Sequence, residues 1–209
     1  MNIQLALDRL SIEEAISITR KAEPYIDWIE VGTSLIKEFG MESVRSIRKA
    51  FPDKTIVADM KTFDNATYEF ELCFEAGADV ATVMGAAPSV SIEACLGVAE
   101  RHGKQVMIDL LNTSPQQIAS LSEYENAILC AHLSKDQQES GKEVRLHIPS
   151  FSNKNSKLAV AGGISVDTFS EIAKLNPYVV IIGSAITKTE DPEKAAAAFY
   201  EMKGRVEHE

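Results

Sequence analysis

The sequence has few cysteines and too few basic residues to balance its acidic ones. Its three cysteines, Cys73, Cys95 and Cys130, are widely spaced and form no C-x-x-C pair. This odd number predicts buried free thiols and a reducing cytoplasm. The 21 Lys and Arg residues face 31 Asp and Glu residues, which gives a formal net charge of −10. Such a charge argues against nucleic acid or an anionic membrane as the main partner. It still allows a phosphorylated small molecule held by backbone N–H groups.

Three further signals are missing. No apolar stretch approaches the length of a membrane span. Met1 stands directly before an apolar segment, without a basic region or cleavage site, so no signal peptide is expected. No Gly-x-Gly-x-x-Gly follows the first predicted strand, which removes the usual signature of dinucleotide binding.

The chain does contain a regular alternation of apolar and amphipathic segments. The apolar segments are short and rich in β-branched residues, as expected of parallel strands covered on both faces. The predicted strands are Ile3–Leu7, Ile26–Val31, Lys54–Ala58, Asp79–Met84, Gln105–Leu110, Ala127–Ala131, Lys157–Ala161 and Tyr178–Ile182.

Between most strands the apolar residues have helical spacing, with capping signals such as the Ser-x-x-Glu at Ser11 and the glycines Gly77 and Gly103. The predicted helices are Ser11–Ala22, one ending over Glu42–Phe51, Asp64–Ala76, Ser89–His102, Ser165–Leu175 and Asp191–Met202. Eight strands alternating with helices predict an α/β protein, either a closed (β/α)8 TIM barrel or an open doubly wound sheet. Residues 1–209 show no linker-like break and are interpreted as one domain. Only 137–156 is expected to be irregular, at least in its second half, because its helical pattern is poor and it carries Gly141, Pro149, Ser150, Ser152, Asn153 and Asn155.

One strand end stands out because it carries Asp59-x-Lys61-x-x-Asp64. Strand alternation predicts that Asp59 and Lys61 point to the same face. Asp64 is predicted to be the N-cap of the next helix, close enough to approach the same ammonium. A lysine between two carboxylates stays charged and holds its donors in fixed directions.

Other apolar strands also end in polar residues, and a closed barrel would bring these ends together on one rim. Several carboxylates around one mouth are costly unless a cation relieves them. Carboxylates without paired His or Cys favour a hard ion, and Mg2+ is the first candidate, with Glu30 and Asp59 best placed to hold it. The full predicted rim is Asp8, Glu30, Asp59, Lys61, Asp109 and His132.

The last two strands end in small residues instead. Gly162 and Gly163 follow the seventh strand, and Gly183 and Ser184 follow the eighth. Glycine allows close backbone approach, and this position in a (β/α)8 barrel is a frequent phosphate site. The sequence therefore predicts a phosphate-binding pair of turns.

Taken together these residues resemble the orotidine 5′-phosphate decarboxylase suprafamily. Within it they are similar to the group of 3-hexulose-6-phosphate synthases and 3-keto-L-gulonate-6-phosphate decarboxylases. The resemblance spans nearly the whole chain in the same order and rests on Ile3-Gln4-Leu5-Ala6-Leu7-Asp8, Ile29-Glu30-Val31-Gly32-Thr33, the Asp59–Asp64 run and Ala161-Gly162-Gly163. It implies a (β/α)8 barrel, a homodimer with shared active sites, and Mg2+ on Glu30 and Asp59. It also implies that Asp64 reaches the neighbouring subunit's site, and that the reaction passes through a Mg2+-stabilised enediolate of a sugar phosphate.

Four positions separate the two activities within this group. Asp109, Ala161 and Ser184 look like the synthase pattern, since the decarboxylases have Glu, Thr and Arg there. Lys135 matches neither pattern, because it keeps a cation where decarboxylases have Arg and synthases usually have none. After strand six the chain has His132-Leu133-Ser134 in place of the synthases' His-Thr-Gly. After Asp64 it lacks their glycine-rich run.

The leading expectation is a lyase that condenses formaldehyde with D-ribulose 5-phosphate into D-arabino-hex-3-ulose 6-phosphate, and the reverse. His132 would be the base and Lys61 a donor to the enediolate oxygens, while Asp8 and Asp109 would orient hydroxyls. One alternative is 3-keto-L-gulonate-6-phosphate decarboxylation, with Lys135 helping to deliver a proton. The other is a barrel that binds a sugar phosphate without catalysis.

Overall fold

The eight strands close into one parallel barrel, which confirms the predicted fold class. The structure, a computed structural model, describes residues 1–140, Ile148 and residues 156–207. Each strand pairs in parallel with the next, and the eighth pairs with the first. The strands are β1 (Asn2–Leu7), β2 (Trp28–Val31), β3 (Thr55–Thr62), β4 (Val80–Met84), β5 (Gln105–Asp109), β6 (Ala127–His132), β7 (Lys157–Ala161) and β8 (Val179–Ile182).

Helices occupy the connections between strands. Ser11 caps the first of them through a capping box with Glu14, as predicted from the sequence. They are α1 (Ile12–Ala22), α2 (Thr33–Phe39), α3 (Met41–Ala50), α4 (Ala66–Glu75), α5 (Ser89–His102), α6 (Pro115–Leu121), α7 (Lys135–Glu139), α8 (Val166–Ala173), α9 (Ser184–Thr187) and α10 (Pro192–Glu207), with a short 3-10 helix at Glu23–Tyr25.

The structure differs from the sequence prediction at several elements, and the short helices α7 and α9 and the 3-10 helix were not predicted. The second predicted helix is two helices, because Gly40 adopts a left-handed φ of 61° between α2 and α3. Strand β3 runs on to Thr62 instead of ending at Ala58. Helix α6 was not predicted, although Ser114 and Gln117 form a capping box at its start.

Two apolar layers hold the barrel together. The larger one lies between the strands and the surrounding helices and contains the fully buried Phe51, Phe70, Phe169 and Phe199. The smaller one fills the barrel itself from alternate strand positions, as in other (β/α)8 proteins. Its members are Ala6, Trp28, Val57, Val80, Met107, Ile128, Cys130, Ala159, Ala161, Val179 and Ile181.

An ionic cluster fastens the amino-terminal end of the barrel. Asp79, just before β4, accepts hydrogen bonds from the Arg48 guanidinium, from Lys104 Nζ at 2.7 Å and from the Ile56 N–H at 2.9 Å. Arg48 also donates to the carbonyl of Lys54 at 2.9 Å. Although burial acts in the opposite direction, these donors lower the pKa of Asp79. The starts of β3, β4 and β5 are thereby tied to α3.

Two expectations concern the remaining chain. The predicted irregular segment 137–156 begins inside α7, and residues 141–147 and 149–155 lie outside the described residues. Cys73, Cys95 and Cys130 are free and buried.

Within the described ranges, no helix combines the length and the apolar character needed to cross a membrane.

Candidate active site

The carboxyl ends of the strands surround a cavity of about 580 Å³. This size suits a small metabolite. Asp64 does not belong to the described residues that line it. The other predicted site residues all do: Asp8, Glu30, Asp59, Lys61, Asp109, His132, Lys135, Gly162, Gly163, Gly183 and Ser184.

The Lys61 ammonium lies between two buried carboxylates. Its Nζ is 2.9 Å from Oδ2 of Asp59 and 3.0 Å from Oδ2 of Asp109. Burial alone would lower the pKa of Lys61, but the charges of Asp59 and Asp109 outweigh burial and raise this pKa above its ordinary value. Lys61 is therefore a cation at neutral pH, with N–H donors held in fixed directions.

Lys61 reaches this position through an irregular backbone. Its φ of 52° is left-handed, and the register of β3 against β4 shifts between Ala58 and Thr62. The Lys61 N–H donates to Oγ1 of Thr82 at 2.8 Å, and the Thr82 hydroxyl donates to Oδ1 of Asp59 at 2.9 Å. A lysine keeps such a conformation only where its surroundings fix it, so this bulge belongs to the construction of the site.

His132 and Asp109 form a second pair in the cavity. Nδ1 of His132 is 2.7 Å from Oδ2 of Asp109, whose Oδ1 accepts the N–H of Leu111 at 2.9 Å. Burial opposes ionisation of Asp109, but the hydrogen bond and charge of His132, together with Lys61, lower its pKa to about 2. An ionised carboxylate only accepts hydrogen bonds, so Nδ1 of His132 is the donor and Nε2 is the basic nitrogen.

Glu30 is buried inside the barrel, at the lower wall of the cavity. Nε2 of Gln4 donates to its Oε2 at 2.5 Å. Burial is the main cause that raises the pKa of Glu30 to about 8, followed by the negative charges of Asp59 and Asp8. Although the Lys61 charge acts in the opposite direction, Glu30 is therefore largely protonated at neutral pH unless a metal cation binds to it.

Glu30 and Asp59 are chemically suited to hold such a cation. Both are oxygen ligands, and the repulsion between them that raises the pKa of Glu30 would be relieved by a bound divalent ion. In the described part of the chain, no three His, Cys, Asp or Glu side chains are grouped as a metal site. Two carboxylates are enough for Mg2+, because this ion usually keeps several water ligands.

Asp8 fixes the start of α2 at the rim of the cavity. Its Oδ1 accepts the N–H of Ser34 at 3.2 Å and the Ser34 hydroxyl at 2.8 Å. Asp8 thus joins the end of β1 to the end of β2. Its role in orienting a substrate hydroxyl stays a prediction.

The two small-residue turns lie side by side after β7 and β8. Gly162 and Gly163 have positive φ values of 92° and 69°. A Cβ on Gly162 would lie 2.1 Å from the carbonyl oxygen of Leu133, so only glycine fits this position. Gly183 and Ser184 follow β8, and α9 after them has only four residues. The exposed backbone of these turns, more than a helix terminus, is what a phosphate could contact.

Lys135 shares a carboxylate with a second cation at the rim. Its Nζ is 3.7 Å from Oε1 of Glu139, which Nη1 of Arg9 approaches at 3.2 Å. All three side chains are about half exposed, so these ion pairs are weak and can exchange with a ligand. Lys135 is therefore available to the cavity but is not fixed there.

The predicted local roles of Asp64 are wrong. The N-cap of α4 is Asn65, with a left-handed φ of 55°, and Oδ1 of Asp64 accepts the Asn65 N–H at 2.8 Å. Within the described residues of one chain, the ion pairs of Lys61 run to Asp59 and Asp109 and none runs to Asp64. Alternation could not reveal this, because the left-handed bulge at Lys61 redirects the chain that follows it.

Several residues at the site were missed by the sequence analysis. Thr33 donates to Oδ2 of Asp59 at 2.5 Å, while Thr82 and Gln4 support Asp59 and Glu30 as described above. The signal that could have found Gln4 and Thr82 is a polar residue in the middle of an apolar strand, on the face that points into the barrel.

Comparisons with known proteins show the family and the fold of this chain. Residues 1–199 match the family described as orotidine 5′-phosphate decarboxylase / HUMPS family. Among curated relatives, 3-hexulose-6-phosphate synthase of Bacillus subtilis is 35% identical over 208 residues, which cover 97% of this chain and 98% of the relative.

Solved structures are also similar over the whole chain. The crystal structure of 3-hexulose-6-phosphate synthase from Salmonella typhimurium has a TM-score of 0.89 and 34% identity, covering 99% of this chain and all of that one. A crystal structure of KGPDC from Streptococcus mutans, solved as a ligand complex, has a TM-score of 0.86 and 26% identity, covering 98% of each chain.

Proposed function

Because the chain belongs to the orotidine 5′-phosphate decarboxylase / HUMPS family, we propose that it is a lyase of the aldolase type, a 3-hexulose-6-phosphate synthase. The reaction is the condensation of formaldehyde with D-ribulose 5-phosphate to D-arabino-hex-3-ulose 6-phosphate, and its reverse. The observation that carries the choice of activity is the 35% identity to a synthase along nearly the entire chain. The pair formed by His132 and the ionised Asp109 supports the chemistry, since it provides an oriented base in the cavity.

His132 begins the reaction by removing a proton. Nε2 takes the proton from C1 of ribulose 5-phosphate, and the ring becomes an imidazolium stabilised by Asp109. Lys61 donates to the oxygens on which the enediolate charge develops, and Asp59 and Asp109 hold its ammonium in place. C1 then forms a bond to the carbon of formaldehyde, whose oxygen receives the proton from His132.

Glu30 and Asp59 would hold Mg2+ in this site. When bound, the ion supplies Lewis-acid stabilisation of the oxygens that carry negative charge. The hydroxyls of Thr33 and Thr82 keep the Asp59 carboxylate oriented through their hydrogen bonds. Asp8 and Asp109 are assigned to substrate hydroxyls.

The phosphate of the substrate is assigned to the turns after β7 and β8, formed by Gly162 and Gly163 and by Gly183 and Ser184. Besides Lys61 and five carboxylates, the cavity lining contains four further cations. These cations are Arg9, Lys37, Lys135 and Lys188. Their position favours an anionic ligand in this part of the cavity.

A homodimer with shared active sites is part of the proposal. Asp64 is exposed, and it lies between two large exposed apolar side chains, Phe63 at 53% and Tyr68 at 61%. Val90 on the neighbouring α5 is 69% exposed. Exposed apolar side chains near Asp64 in the sequence and on the adjacent helix suit contact with a second copy. In such a dimer, Asp64 would approach Lys61 of the other subunit.

The same proposal covers the setting of the reaction. Residues 1–209 would act as one domain in the cytoplasm, where the buried free thiols stay reduced. The net charge of −10 argues against nucleic acid or an anionic membrane as the main partner and still allows a phosphorylated small molecule. Formaldehyde fixation, as in the ribulose monophosphate pathway, is the corresponding metabolic role.

The direct test is a formaldehyde assay. Purified protein with ribulose 5-phosphate and Mg2+ is expected to consume formaldehyde and to form a six-carbon ketose phosphate. Solvent exchange at C1 of ribulose 5-phosphate without formaldehyde should accompany this activity, because the proton is removed first. Binding of ribulose 5-phosphate without exchange or formaldehyde consumption would indicate a barrel that binds without catalysis.

Metal affinity should depend on pH through Glu30. A divalent ion needs the ionised carboxylate and must displace a proton below the Glu30 pKa of about 8. We expect the Kd for Mn2+ to fall by about tenfold for each pH unit up to that value and then level off. Isothermal titration without substrate measures it.

The Asp8→Asn variant is the control for this prediction. It removes one of the charges that raise the pKa of Glu30, so the pH above which the Kd for Mn2+ levels off should be lower. In the metal-free protein the pKa of Glu30 is about 8, above its ordinary value of 4.5, so the folded state binds this proton more tightly than the unfolded state does. The free energy of unfolding should therefore decrease as pH rises from about 4.5 to about 8. A metal affinity that is flat across this window would contradict the assigned role of Glu30.

The alternative function is 3-keto-L-gulonate-6-phosphate decarboxylation. It is favoured by Lys135, a cation that lines the cavity three residues after His132. On the leading proposal, Lys135→Ala changes formaldehyde condensation by less than about threefold, because Lys135 is one of several cations in the cavity lining and its half-exposed side chain is not fixed there. Assays of both substrates with the wild type and this variant check it, with Lys188→Ala as a second cavity cation for comparison. The alternative would be established if the wild type released CO2 from 3-keto-L-gulonate 6-phosphate but condensed no formaldehyde, and if Lys135→Ala lost the CO2 release.

A further inference from the structure

Gln4 is a polar residue where the barrel interior is otherwise apolar. It lies in β1, is completely buried, and stands in register with Trp28 on β2 and Ile181 on β8. Both of these neighbours belong to the apolar layer inside the barrel. A residue such as Leu or Met would match its surroundings better, because burying an amide is unfavourable unless its hydrogen bonds are made.

Only one half of the Gln4 amide makes a hydrogen bond. Nε2 donates to Oε2 of Glu30, whereas Oε1 is buried and has no partner among the described residues. Rotating the amide would bring Oε1 against Glu30, which only accepts hydrogen bonds in the ionised form that a cation requires. The barrel therefore keeps a buried carbonyl without a partner in order to direct an N–H group at Glu30.

The Gln4 hydrogen bond has a direct effect on the geometry of Glu30. It engages Oε2 and restricts rotation of the carboxyl group, so that Oε1 remains as the oxygen for another ligand. Groups that hold a metal-ligating carboxylate in this way strongly influence metal affinity.

We propose that Gln4 is a positioning residue that holds Glu30 for a divalent cation. The inference rests on the proposed metal site of Glu30 and Asp59, and it adds a residue that touches neither the cation nor the substrate. Its function would explain why an amide occupies this place in the barrel.

The experiment measures Mn2+ binding by electron paramagnetic resonance in the absence of substrate. Gln4→Leu and Gln4→Met remove the donor and keep the volume approximately. The expected result is a Kd for Mn2+ about 10-fold to 100-fold higher than in the wild type, with the melting temperature of the metal-free protein showing a folded barrel. Thr19→Val is the matched control, since Thr19 in α1 is the other described residue with a buried polar atom that has no partner. Its Kd should equal that of the wild type.

Kinetics give a second readout that a merely structural role would not produce. The metal concentration for half-maximal activity should rise in both Gln4 variants, while KM for ribulose 5-phosphate stays within about twofold and excess Mn2+ restores kcat. A Kd within about threefold of the wild type, or loss of the folded state in both variants, would overturn the inference and leave the proposed function intact. A wild-type protein that binds no Mn2+ would instead overturn the metal site itself.

Discussion

Lys61→Ala is expected to reduce kcat for formaldehyde condensation by about 10²-fold to 10³-fold. The Lys61 ammonium is the only cation with described ion pairs to both Asp59 and Asp109, and it is assigned to the oxygens where charge develops. Its removal also leaves two buried carboxylates without their shared partner, so the free energy of unfolding should decrease. Steady-state kinetics and thermal unfolding separate the two effects.

The matched control is Lys49→Ala, which removes an exposed lysine on α3, outside the cavity lining. It should leave kcat and stability nearly unchanged. If Lys61→Ala kept more than a tenth of the wild-type kcat while folded, the lysine would serve only to stabilise the carboxylates.

Asp64→Asn is expected to lower turnover strongly and to leave the fold intact. Asp64 is exposed and its one described hydrogen bond, from the Asn65 N–H, can also be accepted by an asparagine oxygen. The loss in kcat would come from the partner's site, where Asp64 is proposed to approach Lys61. Circular dichroism and kinetics on the purified variant measure both properties.

Mixing the two variants tests the shared site directly. In a heterodimer of Asp64→Asn and Lys61→Ala, one of the two sites regains both residues if Asp64 acts across the interface. After random subunit exchange of equal amounts, half of the dimers are mixed, so roughly a quarter of the wild-type activity should return. Absence of rescue, with exchange confirmed by mass, would show that Asp64 acts in its own subunit or has no role.

The alternation of elements with clear periods predicted an α/β protein with a parallel sheet, and the family resemblance favoured the closed barrel over an open sheet. Each strand is an apolar run, and signals such as Ser11 and Gly103 mark helix ends at the observed positions. The division of the second helix at Gly40 was not predictable from periodicity, since α2 and α3 continue the same apolar spacing on either side of it.

The residues of the cavity were also predicted, but not how they pair. The partner of Lys61 opposite Asp59 is Asp109, which is 48 residues away in the sequence and two strands away in the barrel. Local spacing suggested Asp64 instead. The left-handed conformation of Lys61, which redirects the chain before Asp64, could not be predicted from the residue type. Pairings across the barrel depend on strand register, which a single sequence does not encode in a readable form.

The ionic cluster around Asp79 has a consequence for how this protein can change. It secures β3, β4 and β5 at the end of the barrel opposite the cavity, using Arg48 and Lys104, which are far from any group assigned to the reaction. Substitutions at the mouth of the cavity therefore leave the contacts that stabilise the other end of the barrel unchanged. A new activity can be explored at one end of the molecule while the other end keeps the chain folded.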